Sequence, residues 1–413
     1  MPSVARTVLF INIAHATTHY LMLVYPTAVL AVAAESGMAY DRLIPLATGG
    51  LVAYGLLSLP AGWLADRVGC RLLLVTHFIG AGAAAIGVGA ADGPTAIAGW
   101  LLVLGAFCAI YHPVGLSLLV SSSRRLGFDL GLNGVCGNLG AALAAGLTAM
   151  LAAALGWRAA FLLPGAASVL CGVLYLALTS DSAGREAVEP GDEAVQPVAR
   201  PGLAIASVVM ATIAGGLTYM ILTIALPKII GERAGPAISL EGTGAIATAV
   251  LVCGAVAQIA VGRLIDRLAL PTLFILLAAV QLAGLVLAAL FTGPLLLIGL
   301  ALVMAAIYGE VVVDDALVAR FVPPSLRGKA FGLSYGLDSV LAGIAAPLIG
   351  ALHAEGFARL LALTAVCGAT LFLCALGFRL AIGGSGPAGR TAGAAGDGDL
   401  ASVPGVDRNQ QPS

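Results

Sequence analysis

Long apolar runs follow one another along the chain, each ended by a short polar or glycine- and proline-rich break. They occupy residues 7–33, 42–65, 71–90, 95–121, 128–154 and 158–179, and then 203–230, 242–262, 270–290, 294–318, 326–352 and 357–381. A helix needs roughly 20 apolar residues to cross the hydrocarbon core of a bilayer, and every run is long enough. The apolar residues are consecutive rather than alternating, and Ala, Leu and Gly dominate them. Alternation over about ten residues would mark the strands of a membrane β-barrel. Unbroken runs mark helices, which satisfy their own backbone polar groups. The pattern predicts an all-α membrane protein with about twelve transmembrane helices.

One break differs from the others. Between residues 181 and 201 lie five acidic residues, Asp181, Glu186, Glu189, Asp192 and Glu193, together with Pro190, Pro197 and Pro201. This composition reads as a solvated linker. It divides the chain into an N-terminal half, 1–180, and a C-terminal half, 202–382, of six spans each. Residues 383–413 are rich in Gly, Ala, Pro and Asp and read as a disordered tail. The first run carries a small-residue stretch, Leu30 to Ala34, that resembles a signal cleavage site. It also contains Asn12, His15, His19 and Tyr25, which a signal core lacks, so it reads as a retained span.

Composition agrees with lipid as the main solvent. The 413 residues are 60% hydrophobic and 10% charged, against roughly 25% charged in soluble proteins. With the N-terminus inside, fifteen of the twenty Lys and Arg residues fall on the cytoplasmic side, and only Arg42, Arg158, Lys228, Arg233 and Arg359 fall outside. That bias predicts that both ends are cytoplasmic, in a bacterial-type inner or plasma membrane. The net charge of −1 and the lack of a basic tract give no reason to expect nucleic acid as a partner. All seven cysteines except Cys70 lie in apolar runs and read as small packing residues.

The two halves echo each other. Gly62-Trp63-Leu64-Ala65-Asp66-Arg67 matches Gly262-Arg263-Leu264-Ile265-Asp266-Arg267 at Gly, Leu, Asp and Arg. Both stretches end the second span of their half. A second echo pairs Gly127 with Gly328, Gly131 with Gly332 and Leu132 with Leu333, where each fifth span begins. Repeated halves are an architecture of secondary transporters.

The stretch from Gly62 to Arg71 resembles the loop signature of the major facilitator superfamily, departing from it at Cys70. The resemblance extends over about residues 5–382 and implies two six-helix, pseudo-symmetric halves. It also implies that Gly62, Asp66, Arg67, Gly69 and Arg71, with Gly262, Asp266 and Arg267 as the weaker copy, form a cytoplasmic gate that opens as the halves rock. Physically, Gly62 and Gly69 permit close approach and a tight turn, and Asp66 can face the N-terminus of a neighbouring helix. Ile110-Tyr111-His112-Pro113 followed by Gly137-Asn138-Leu139-Gly140 is similar to the fosmidomycin-resistance type of efflux protein. Ala144-Ala145 stands where antiporters of the superfamily carry a glycine-proline pair.

Charged groups at membrane depth cost roughly 2.5–3.5 kcal/mol each on insertion scales, so their positions are informative. The third, sixth, ninth and twelfth spans carry none near their centres, and the resemblance implies that these spans pack on the outside. Asp338 lies almost at the middle of the eleventh span, and Glu310 about a turn from the middle of the tenth. Both are candidates to bind a proton or cation. Asp314 and Asp315 lie nearer the interface and read as ion-pair partners of Arg320. His15 and His19 are four apart on one face of the first span, and His112 is near the middle of the fourth; histidine can relay protons. Tyr111, Asn138, Tyr219 and Tyr335 are further candidates to line a substrate or proton pathway. For Asn138, a hydrogen bond across a close helix contact at Gly137 and Gly140 is the alternative.

The His15–His19 pair lacks the glutamate of a metalloprotease helix and shows no third ligand, so no metal site is expected. No cofactor is expected either, and no nucleophile–base pair or phosphate loop supports an enzyme. No Lys or Arg lies at mid-membrane, which disfavours multiply anionic solutes. The reading is a secondary active transporter, acting as a monomer, that moves a small neutral, amphipathic or cationic solute by alternating access. Proton-coupled export is preferred. The alternatives are a proton-linked importer of a small metabolite and a non-transporting receptor or scaffold.

Overall fold

The computed structural model describes residues 3–123, 126–179, 196–235, 238–265, 267–354 and 356–383. These contain helices and no strand. The first half holds α1 (Ser3–Ser36), α2 (Tyr40–Leu43), a 3-10 turn (Ile44–Ala47), α3 (Thr48–Leu56), α4 (Ser58–Val68), α5 (Cys70–Gly89), α6 (Pro94–Cys108), α7 (Tyr111–Ser122), α8 (Leu126–Leu155) and α9 (Ala159–Leu178). The second holds α10 (Pro201–Arg233), α11 (Leu240–Leu264), α12 (Leu270–Leu290), α13 (Gly293–Phe321), α14 (Pro324–His353) and α15 (Phe357–Ile382). Among the described residues, eleven helical stretches are long and apolar enough to cross a membrane. The 30-residue α14 completes twelve spans.

Two spans are broken, and proline explains both breaks. A proline has no N–H to give the carbonyl four residues earlier. Pro60 leaves Leu56 without that partner, and α3 ends at Leu56. Pro113 does the same to Ala109, and the helix reopens as α7 at Tyr111. Tyr111 and His112 therefore begin a new helix inside the fourth span, rather than sitting in the middle of a continuous one.

The pseudo-symmetry is visible in the packing. In the first half α1 lies against α8, α5 against α9, and α3 against α6. In the second half α10 lies against α14, α12 against α15, and α11 against α13. These are the first-with-fifth, third-with-sixth and second-with-fourth pairs of each half. Small residues let the backbones approach, as in other membrane bundles. A Cβ on Gly82 would stand 2.5 Å from the Gly165 carbonyl oxygen between α5 and α9, and one on Gly284 2.7 Å from the Gly299 oxygen between α12 and α13. The outward faces of α9 and α15 expose Leu170, Val173, Val366, Leu373 and Leu380, as lipid-facing spans should.

Both described chain ends emerge on one side of the bundle. Residues 196–200 run beneath the second half there, with the Gln196 N–H donating to the Arg320 carbonyl and the Arg200 N–H to that of Ala381. The acidic stretch 181–195 and the tail 384–413 lie outside the described residues.

Between the halves, α8 packs on α11, and α14 packs on α2 and α3. Thr248 of α11 donates to the Ala142 carbonyl and accepts from the Gly146 N–H of α8. A Cβ on Gly350 of α14 would stand 2.7 Å from the Asp41 carbonyl oxygen, and one on Gly343 2.6 Å from Val52. These contacts lie on the side of the bundle away from the chain ends. α4, on the terminal side, packs on α3, α5 and α7 of its own half.

Candidate functional site

In the first half the polar residues converge on one point. His15 and His19 occupy one face of α1, and their Nε2 atoms are 3.1 Å apart. The start of α7 brings His112 to them, with ring centroids 5.3 Å from His15 and 5.5 Å from His19. Tyr111 stacks on His15 at 4.8 Å, and Tyr54 of α3 approaches His112 at 6.1 Å. All three histidines are half-exposed. The sequence shows no third ligand beside His15 and His19; the structure supplies His112, and the candidate ligand atoms of the three lie within 4.8 Å of one another.

Asn133 of α8 holds this set. Its carbonyl oxygen is 2.7 Å from His15 Nδ1, its amide donates to Asn12 at 2.9 Å, and its side-chain oxygen accepts from the Tyr111 hydroxyl at 3.0 Å. Glycine makes the approach possible. A Cβ on Gly137 would stand 2.5 Å from His15 Nε2, and one on Gly140 would run into the Ala16 carbonyl. The close contact expected at Gly137 and Gly140 is therefore present. Asn138, however, does not bond across it: its amide donates to Gln258 of α11, in the opposite half.

In the second half the carboxyls separate into two environments. Glu310 is 6% exposed and sits between α13 and α12. With the Gln281 amide turned so that its nitrogen donates, that nitrogen is 2.7 and 3.0 Å from the two carboxylate oxygens. Asp314 and Asp315 are exposed, Asp338 half-exposed. Asp314 and Asp338 lie within electrostatic reach of each other, as do Asp338 and Tyr219. Tyr219 packs edge-on against Tyr308 at 6.3 Å. A Cβ on Gly216 of α10 would stand 2.9 Å from Asp338 Oδ1, so the carboxyl rests on that glycine. Among the described residues no ion pair joins Arg320 to Asp314 or Asp315, contrary to expectation. The Tyr335 side chain lies outside the described set.

A third cluster, in the second half, lies where the halves meet on the far side. Lys228 and His353 both meet Glu232 Oε1, at 2.9 and 3.0 Å. Tyr40 of the first half reaches over to the same place, with Lys228 Nζ 5.2 Å from its ring and the His353 ring 5.0 Å away. Beside it a recess of about 590 Å³ is lined by α1, α10 and α11, with Glu35, Lys228 and Glu232 among its residues.

The family model described as Major Facilitator Superfamily matches residues 8–309. The chain belongs to that superfamily. Solved structures of the superfamily's fold agree over nearly the whole length. A bacterial homologue of the human lysosomal transporter Spinster, in an inward-facing and occupied conformation, superposes with a TM-score of 0.73 at 13% identity, over 92% of this chain and 97% of that one. A D-xylose-proton symporter superposes with a TM-score of 0.72 at 12% identity, over 92% and 98%. No curated protein matches the sequence.

The superfamily's loop signature has a definite local structure here. Gly69 has φ +87°, a left-handed value that ends α4 and starts α5. Gly62 meets Pro113 only at 3.4 Å, and nothing lies within 4 Å of a Cβ on Gly262, so neither is needed for close approach. Arg71 donates to the Leu176 and Thr179 carbonyls at 2.7 and 2.8 Å, covering the open C-terminus of α9. Arg67 lies 3.5 Å above the Trp63 ring. The backbone N–H of Arg267 bonds the Leu264 carbonyl at 3.0 Å. The side chain of Asp66 and the whole of Asp266 lie outside the described set.

Sequence reasoning missed Gln281 and the far-side cluster. Gln281 was detectable as the strongest polar group in the apolar run 270–290. Lys228 and Glu232 were detectable as an i,i+4 pair. Nothing in the sequence connects them to Tyr40 and His353.

Proposed function

We propose that the chain is a proton-coupled secondary transporter that moves a small neutral, amphipathic or cationic solute by alternating access. The halves 1–180 and 202–382, joined by the linker 181–201, rock against each other, and the side carrying both ends is cytoplasmic. The observation that carries this reading is that each half holds its own polar set inside its spans, and that the two sets are chemically unlike. Imidazole and phenol groups of α1 and α7 belong to one half, and the carboxyls Asp314 and Asp338 with Tyr219 belong to the other. Asn138 to Gln258 is one of the hydrogen bonds that join the two halves. A carboxyl at that depth is costly when charged, so a change of water access between the two states loads and unloads a proton. Glu310, sealed against Gln281, is held as a structural acid on the α12 side, and Asp338 takes the coupling role.

Export is the favoured direction on the resemblance of Ile110–Pro113 and Gly137–Gly140 to an efflux type. The lack of a deep Lys or Arg supports a solute without multiple negative charges.

The test is a solute screen in proteoliposomes with an internal pH dye. Solute flux accompanied by proton movement is expected, and Asp338→Asn is expected to lower pH-driven flux at least about tenfold while exchange of solute down its own gradient continues. Full pH-driven flux in that variant would remove Asp338 from coupling.

A further inference from the structure

We propose that His15, His19 and His112 form a site for one first-row divalent cation of the Zn2+, Co2+ or Ni2+ type. Three imidazole nitrogens bind it, and the fourth position is left for water or a donor atom of the solute. The site lies wholly in the first half, so it does not depend on the coupling carboxyls of the second.

The distances are close to those a metal requires. Two imidazole nitrogens on one tetrahedral zinc, each roughly 2.0–2.1 Å from the ion, stand about 3.4 Å apart. The His15 and His19 Nε2 atoms are already 3.1 Å apart. The widest gap in the three-residue set is no more than 4.8 Å, which a turn of the His112 ring can close.

The surroundings suit a ligand set. Metal-bound histidines hold their second ring nitrogen on a carbonyl or carboxylate, which fixes the tautomer. His15 does this with Nδ1 on the Asn133 carbonyl at 2.7 Å, which turns the Nε2 lone pair toward the other two rings. Gly137 leaves the space in which that nitrogen sits, since a Cβ there would stand 2.5 Å away. The only Lys or Arg on α1 is Arg6, and α7 and α8 carry none, so no fixed positive charge on these helices repels a cation. All three residues are half-buried, so each keeps part of its surface uncovered by protein. Neutral nitrogen donors without a carboxylate select these metals over Mg2+ and Ca2+.

The experiment uses the full chain in detergent with any polyhistidine tag removed. Zn2+ binding is measured by equilibrium dialysis, and Co2+ is titrated while the visible absorption of low-coordinate Co2+ is followed. The expected result is one ion per chain, no competition from Mg2+ or Ca2+, and a loss of affinity of about tenfold or more in each of His15→Ala, His19→Ala and His112→Ala. Gly137→Ala should weaken binding by a comparable factor by displacing the His15 ring. His77→Ala and His353→Ala, the chain's other two histidines, should bind as the wild type does. Thermal unfolding without metal identifies any variant that has lost its fold, and the His→Gln versions replace it. Wild-type affinity in all three ligand variants would overturn the proposal. So would no stoichiometric binding by the wild type, which would leave an ordinary hydrogen bond between His15 and His19. Neither outcome bears on Asp338, whose flux test stands apart.

Discussion

Glu310 and Asp314 are four residues apart on α13, and helical spacing places them on one face. Yet Glu310 is buried against Gln281, while Asp314 is exposed and interacts with Asp338. The difference comes from a neighbour: α12 covers one position and not the other. Glycines show the same dependence on context. Gly140 lies under the Ala16 carbonyl, whereas nothing lies within 4 Å of a Cβ on Gly131 in the same helix. Gly140→Ala is expected to cost about 1–3 kcal/mol through overpacking against backbone that cannot rotate away. Gly131→Ala should stabilise by up to about 1 kcal/mol through helix propensity alone. Thermal midpoints in detergent measure both, and equal shifts would contradict the packing described at Gly140.

At the scale of elements, prolines and partner helices set the working geometry. The break before α7 gives Tyr111 and His112 a helix start to sit on, and the α1–α8 contact holds the two histidines of α1 against them. On the far side Lys228, Glu232 and His353 join α10 to α14, with Tyr40 of α2 packed over them. The groups are partly exposed, so each pair contributes no more than about 1 kcal/mol. These pairs lie within the second half and fix the Lys228 and His353 groups that Tyr40 of the first half packs on; since about 1.4 kcal/mol changes a two-state ratio tenfold, loosening that platform is enough to shift the balance between open and closed far sides. Glu232→Gln should therefore speed labelling of a cysteine placed at Thr243, in the adjacent recess, by a few-fold in a background without native cysteines. An unchanged rate would mean that the cluster does not hold the far side shut.

Across the whole molecule, most of the described cross-half contacts lie away from the chain ends, and Asn138–Gln258 lies nearer to them. The terminal side, with α4 and the Gly69 turn, is where the gate proposed at Asp66 would close when the halves rock. Asp66→Asn should change the ratio of far-side to terminal-side cysteine labelling several-fold, and a constant ratio would reduce the signature to a structural turn. Gly69 and Arg71 already have such structural work, one making the turn and the other covering the end of α9.

The sequence by itself determined the class and count of the spans, their division into two echoing halves, and the depth of each polar residue. These follow from one-dimensional quantities: run length, repeat offset and position within a run. It also exposed the α1 histidine pair, because four-residue spacing is a local property of a helix. Tertiary structure alone decided which polar groups meet. His112 joins His15 and His19 because α7 restarts beside α1. Asn138 finds Gln258 because α8 and α11 cross between the halves, and Tyr40 finds His353 because α14 packs on α2. Pairs separated by more than about ninety residues leave no spacing to read in a single chain. Their meeting depends on how helices pack, and that packing is set by glycine contacts whose partners lie on other helices.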